Sequence, residues 1–307
     1  MKLPTNIQTI SKKNMARIAQ RIMAKVLKAP VWERKVIDFS SHLDNKQNTD
    51  DLIKSVKGVM ELIEKGYDPL HALYVTTQNL VSVIVEVVST FPELTPFAKI
   101  AGEAQDKYMP SGPPFSPLTN SHFTCWAFFD LQFGSHRETI GSCIKEWEPV
   151  LGLGEMREVV QAMACSRMGI YEHCGHQGSL VLLRDLVDDK MYACHVGSRY
   201  QGRESQLWLV RLMPPLPGID DHFVAFTTPY VLLDTKSEWA NFINRAVQKV
   251  TRKGPRTLNE SKELLFKYGL RVNYWNNFIL NAYRGHEHQA IYLEGIPDQP
   301  ERFPNPF

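Results

Sequence analysis

In the stretch "KKNMARIAQRIMAKVLK", Met15, Ile18, Ile22, Met23, Val26 and Leu27 recur at spacings of three and four, which lays one apolar stripe along a helix. Arg17, Arg21, Lys25 and Lys28 fall on the other side. A second helix is predicted over "TDDLIKSVKGVMELIEKG". It has Asp residues in its first turn, Leu52, Ile53, Val56, Val59, Met60 and Ile63 on one face, and Gly66 as its stop. The segment "YDPLHALYVTTQNLVSVIVEVVST" opens with Asp68 as N-cap and Pro69 at the first helical position. Its β-branched residues would suit a strand, but that start signal and the length favour a buried helix, packed antiparallel on the one before it.

Four prolines and a glycine in "YMPSGPPFSPLT" mark a boundary or a rigid crossing segment, after which "CWAFFDLQF" reads as aromatic core. From Gly169 the period shortens. "GIYEHC", "SLVLLRDL", "KMYACHV", "QLWLVRLM" and "HFVAFTTPYVLL" are β-prone runs separated by turn compositions such as "GHQG" and "PPLPGIDD". Five strands so closely spaced suit a small antiparallel, barrel-like module. Helices return near 236–250 and 258–268, opened by the capping boxes Thr235/Glu238 and Thr257/Glu260. Gly269 breaks the second, "NYWNNFILNAY" forms a third that stops near Gly285, and the proline-rich tail is extended. The expected class is α+β, with a helical region at 1–107, a crossing segment and aromatic helical core at 108–168, a β-module at 169–234, and C-terminal helices with their tail at 235–307.

Composition narrows this little: 43% hydrophobic and 22% charged residues are ordinary for a folded chain, so wholesale disorder is excluded. The most apolar run, Leu80–Val88, is too short to span a bilayer, so no transmembrane segment is expected. Five cysteines without paired spacing argue for free thiols and a cytoplasmic location. Charge changes the picture more. Residues 1–35 carry nine Lys or Arg and one Glu, and residues 245–271 carry eight against two, so within a net charge of +2 the rest of the chain stands at −12. Arg17, Arg21, Lys25 and Lys28 have no acidic sequence neighbours. Together with Lys13, Arg252, Lys253 and Arg256 they form the expected binding surface, its partner an acidic protein, a nucleic acid or a second copy of the chain.

The chemistry-bearing residues are sparse. "YEHCGHQGSLVLLRDL" brings two histidines and a cysteine close together, with Cys174, His176 and Cys194 as metal-ligand candidates. Zinc sites are usually introduced by C-x2-4-C or H-x3-5-H pairs, and neither occurs, so the stretch reads as a hairpin with no metal and no cofactor. Cys125 and His122, three apart, could form a nucleophile pair, but their apolar neighbours favour an inert buried thiol. Glu172, Asp185, Asp188 and Asp189 read as strand-end carboxylates, and no catalytic residue is assigned. "SKELLFKYGLRVNYWNNFIL" has helix-turn-helix spacing, which makes Asn273, Asn276 and Asn277 candidates for reading bases.

The function expected from these residues is non-catalytic protein binding, as an accessory or adaptor subunit of a larger bacterial regulatory or defence assembly. The alternatives are nucleic-acid binding through the basic helix and the pair at 261–280, and, third, a cytosolic hydrolase or nuclease centred on the β-module.

Overall fold

Five strands cannot close into a ring with every neighbour antiparallel, because alternation fails on an odd number. The computed structural model solves this with one parallel pair. Strands β1 (Arg167–Gln177), β2 (Leu180–Asp185), β3 (Met191–Val196), β4 (Leu207–Met213) and β5 (Phe223–Ala225) close in the order β1-β2-β3-β5-β4-β1, with only β3–β5 parallel. The expected antiparallel module is therefore a closed mixed barrel. Its interior is filled from all five strands, by Tyr171, Val181, Leu183, Cys194, Val196, Trp208, Val210, Leu212 and Ala225. Every residue of β4 is buried, since the alternate set Leu207, Leu209 and Met213 faces the helices. Burying a side chain of Val or Leu size contributes about 1.5–3 kcal/mol, so β4 anchors two cores at once.

The sheet continues past the ring. β6 (Tyr230–Leu232) pairs with β4 and runs parallel to β8 (Ala290–Leu293), which pairs antiparallel with β7 (Tyr283–Glu287). The sequence reading carried the last helix to near Gly285 and placed no strand after it. That is corrected: the last helix stops at Ala282 and the chain turns directly into a hairpin.

The structure describes residues 17–28, 58–109, 116–151, 153–154, 156–252, 254 and 257–304. Lys13, Lys253, Arg256, the side chain of Lys28, the first half of the helix expected at 49–66 and most of the proline-rich crossing lie outside them. Helix α1 (Ile18–Lys28) buries Ile18, Ala19 and Ile22. Its N-terminal amides are capped from a distance: Ile18 and Ala19 donate to the Glu138 carboxylate at 2.8 and 3.2 Å. Residues 58–64 are helical and turn at Gly66, whose φ of 82° suits glycine. Helix α2 (Pro69–Val88) starts as its sequence requires, with Asp68 Oδ1 accepting the His71 N–H at 3.0 Å. α3 (Thr95–Tyr108) and α4 (Asn120–Cys125) follow, and α4 widens into a π-turn at Trp126–Asp130, buried throughout. α5 (Ile140–Leu151) packs on α1, and α6 (Met156–Cys165) packs on α2 and α5.

Both expected capping boxes are present, opening α7 (Lys236–Thr251) and α8 (Leu258–Tyr268). α8 lies against β1, and α9 (Tyr274–Ala282) follows Asn273, a left-handed residue. No helix among the described residues is long and apolar enough to cross a membrane.

Candidate functional site

The histidine-rich stretch is a strand and a turn. β1 runs on through Gln177, with a register break between His173 and His176 where Gly175 takes φ 103°. Gln177 pairs with Leu180, which leaves a two-residue connection at Gly178 and Ser179. The Nε2 atoms of His173 and His176 lie 2.8 and 3.1 Å from one carbonyl, that of Gln201, while His173 Nδ1 accepts the Gly175 N–H. Cys174 donates to the Glu172 carbonyl, and Cys194 points into the barrel, where burial pushes its thiol pKa up. Cys174, His176 and Cys194 therefore do not converge as metal ligands.

The other sequence candidates are also held by the fold. Burial pushes Cys125 up to about 11, so it stays a thiol, and it lowers His122 to about 4, so that imidazole stays neutral. His122 Nε2 lies 3.1 Å from Asn276 Oδ1, and Asn276 donates in turn to Asn273 Oδ1. Asn277 Oδ1 accepts from Tyr108 at 2.5 Å and from Lys107 at 3.3 Å. Asn276 is fully buried, so it is turned away from any surface where a base could be read. Glu172 binds Arg184 and Lys236, Asp185 binds Arg167, and Asp188 binds Lys190.

The basic helix is paired, contrary to expectation. Arg17 reaches Glu146 at 3.4 Å and Lys25 reaches Glu93 at 2.5 Å, through partners far away in sequence. Arg21 is half-buried, and Arg252 is exposed at the end of α7.

Two ionic clusters lie where helices meet the barrel. The first is built on the π-turn. Asp130 binds Arg211 of β4 through one oxygen and Lys267 of α8 through the other, at 3.1 Å. Arg211 also donates to the carbonyl and hydroxyl of Ser166, both at 3.0 Å. Lys267 donates to the carbonyls of Ala164 and Ser166. Burial lowers the Lys267 pKa, with Asp130 opposing it. This cluster ties π-turn, strand and helix together.

The second cluster joins the start of α2 to β3 and the approach to β5. Asp68 Oδ2 lies 3.2 Å from His222 Nε2, while Asp220 Oδ1 contacts His222 Nδ1 and accepts the His222 backbone N–H at 3.1 Å. The rings of His195 and His222 are 6.2 Å apart, as are those of His71 and His195. His71 is buried edge-on against Phe226, and its Nδ1 has no hydrogen-bond partner. Desolvation lowers its pKa to about 4, with neighbouring His195 acting in the same direction. Gly197 permits this close packing, because a Cβ there would meet His71 Cε1 and Nε2 at 2.7 Å.

Sequence reading found Asp68 only as a helix cap; it did not single out His71, His195, Asp220 or His222. The signal was present as "DPLH", which puts carboxylate and imidazole in one helical turn, and "DDH", which puts Asp220 and His222 on one side of an extended segment. The chain matches no family model, and no curated protein or solved structure is significantly similar to it, so the site is read from its geometry.

Proposed function

We propose that this protein is a non-catalytic binding protein, an adaptor or accessory subunit that docks an acidic partner through its helical shell. The observation that supports it is where the reactive groups are spent. The thiols of Cys125, Cys143 and Cys194 are buried and held protonated, and the carboxylates of Asp130, Asp185 and Glu172 are engaged by Arg or Lys side chains. α1, by contrast, is anchored by Ile18, Ala19 and Ile22 and keeps Arg17 and Lys25 with side chains 56% and 55% exposed. Arg17, already orientated by the exposed Glu146, can exchange that partner for a denser acidic surface at little cost, because an exposed pair is worth only about 0–1 kcal/mol, while Lys25 adds its charge beside it.

The test is affinity purification from the native host with identification of what co-elutes, repeated with the double variant Arg17→Gln, Lys25→Gln. An acidic protein at stoichiometric level is expected. The variant should retain the wild-type circular dichroism and bind on the order of tenfold more weakly, and the difference should shrink at high salt. Nuclease-sensitive material in place of a protein, or binding unchanged in the variant, overturns the proposal.

A further inference from the structure

We propose that Asp68 and His222 bind one divalent transition-metal ion where α2 meets the barrel, with Asp220 orienting the imidazole from its other nitrogen. Among the described residues these form the one group of three His, Cys, Asp or Glu whose ligand atoms all lie within 4.8 Å of one another. A zinc-class ion holds nitrogen and oxygen ligands at about 2.0–2.2 Å, so ligands sharing it sit about 3–4 Å apart. The 3.2 Å between Asp68 Oδ2 and His222 Nε2 falls in that range.

The second observation is an unsatisfied nitrogen. The His222 side chain is only 10% exposed, and its Nε2 makes no hydrogen bond even though a carboxylate oxygen faces it at 3.2 Å. A buried polar atom without a partner costs about 1–3 kcal/mol unless a water or an ion satisfies it. A metal on Nε2 removes that cost and joins the two groups that the hydrogen-bond geometry leaves unjoined.

The surroundings hold the ligands in place beforehand. Asp68 is fixed by the His71 N–H on one oxygen, as the cap of α2, which leaves the other toward His222. Asp220 is fixed by the His222 N–H and lies against His222 Nδ1. A carboxylate on the far imidazole nitrogen is the usual device for setting the ring orientation and tautomer of a metal-binding histidine. The chain reaches Asp220 through a tight turn closed by the Leu216–Asp220 bridge, so the ligand is set by backbone as well. His195 of β3 adjoins the group from a third element. One imidazole and one carboxylate, with no thiolate, favour Zn2+ or the harder Mn2+ over copper(I).

The rival explanation is an imidazolium held between two carboxylates, and metal titration separates the two. The protein would be stripped with a chelator, dialysed, and titrated with ZnCl2, then MnCl2, by isothermal calorimetry at neutral pH. One equivalent of Zn2+ per chain is expected, with a dissociation constant at or below about 10 μM. Asp68→Asn and His222→Gln should each weaken it by at least about tenfold, and Asp220→Asn by about 10–100-fold. Asn caps a helix as well as Asp does, so Asp68→Asn preserves the start of α2 and an unchanged circular dichroism spectrum keeps folding out of the result. His176→Gln should bind like the wild type. No saturable uptake by the wild type, with the His222 ring signals in NMR unmoved by zinc, overturns the proposal in favour of the ion triad. Uptake that survives both Asp68→Asn and His222→Gln overturns it as well.

Discussion

At the π-turn, Asp130 divides its two oxygens between Arg211 and Lys267, and the carbonyls of Ala164 and Ser166 take further donors. At the start of α2, Asp68 faces His222 without a hydrogen bond, and His71 Nδ1 and His222 Nε2 are buried with no hydrogen-bond partner. Both clusters join a helix to the barrel, and both combine carboxylates with nitrogen groups. They differ in completeness. The first leaves Arg211 Nε as its one unpaired nitrogen, and its other donors and acceptors interlock, so it serves as a fixed tie. The second leaves His222 Nε2 facing an Asp68 oxygen at 3.2 Å without a hydrogen bond, which is the condition for taking up something further. Satisfaction of buried polar groups, more than the presence of charge, distinguishes a tie from a site.

The largest effect should come from cutting the tie. Asp130→Ala leaves Arg211 and Lys267 in the interior without their counter-ion, and urea denaturation should show a loss of about 3–5 kcal/mol. Asp68→Asn, which keeps its cap, should cost less than about 1 kcal/mol in the absence of metal. Equal losses at the two positions would erase the distinction between them.

The next effect concerns acid. His122 titrates at an ordinary 6.5 when unfolded and at about 4 in the buried native site, so between those values the unfolded chain binds the extra proton. The stability it contributes is complete above pH 6.5 and is lost as pH falls toward 4, by about 3 kcal/mol. Urea midpoints measured at pH 7, 5.5 and 4 should fall in that order, and His122→Gln should flatten the decline. A decline of the same slope in the variant would shift the acid response onto the ionic clusters.

The smallest effect tests how tightly the second cluster is packed. Gly197→Ala sets a methyl group against the buried His71 ring, and an overpacked site of this kind costs about 1–3 kcal/mol. Thermal unfolding should show the loss, and the His71 ring should shift in NMR. A neutral substitution would mean that the ring can yield, and that the junction is looser than the tie.

Local chemistry made much of the fold legible. Asp68–Pro69, Thr235/Glu238 and Thr257/Glu260 act on their own helices, so their signals lie within four residues. The strand runs from β1 to β6 were readable for the same reason. What sequence reading missed is non-local. Glu138 caps α1 from 120 positions away, and Glu146 and Glu93 neutralise cations that their own segment leaves bare. β7 and β8 were hidden because "NNFILNAY" is helical by period and only the partner strand β6 makes "AIYL" a strand. Asp68 and His222 meet only because the barrel brings the approach to β5 under α2. Neither spacing nor composition carries that information.

The parallel pairing of β6 with β8 bears on how the chain is made. Tyr230, Val231 and Leu232 are buried in the finished protein, yet the strand that covers their outer edge lies at Ala290–Leu293, behind three helices and strand β7. On the ribosome the five-strand ring can close as soon as β5 has emerged, whereas β6 must wait through the synthesis of some sixty further residues with its amides open to any neighbouring strand. An unpaired apolar edge is a template for aggregation, so this nascent chain is most vulnerable between completion of its barrel and arrival of β8.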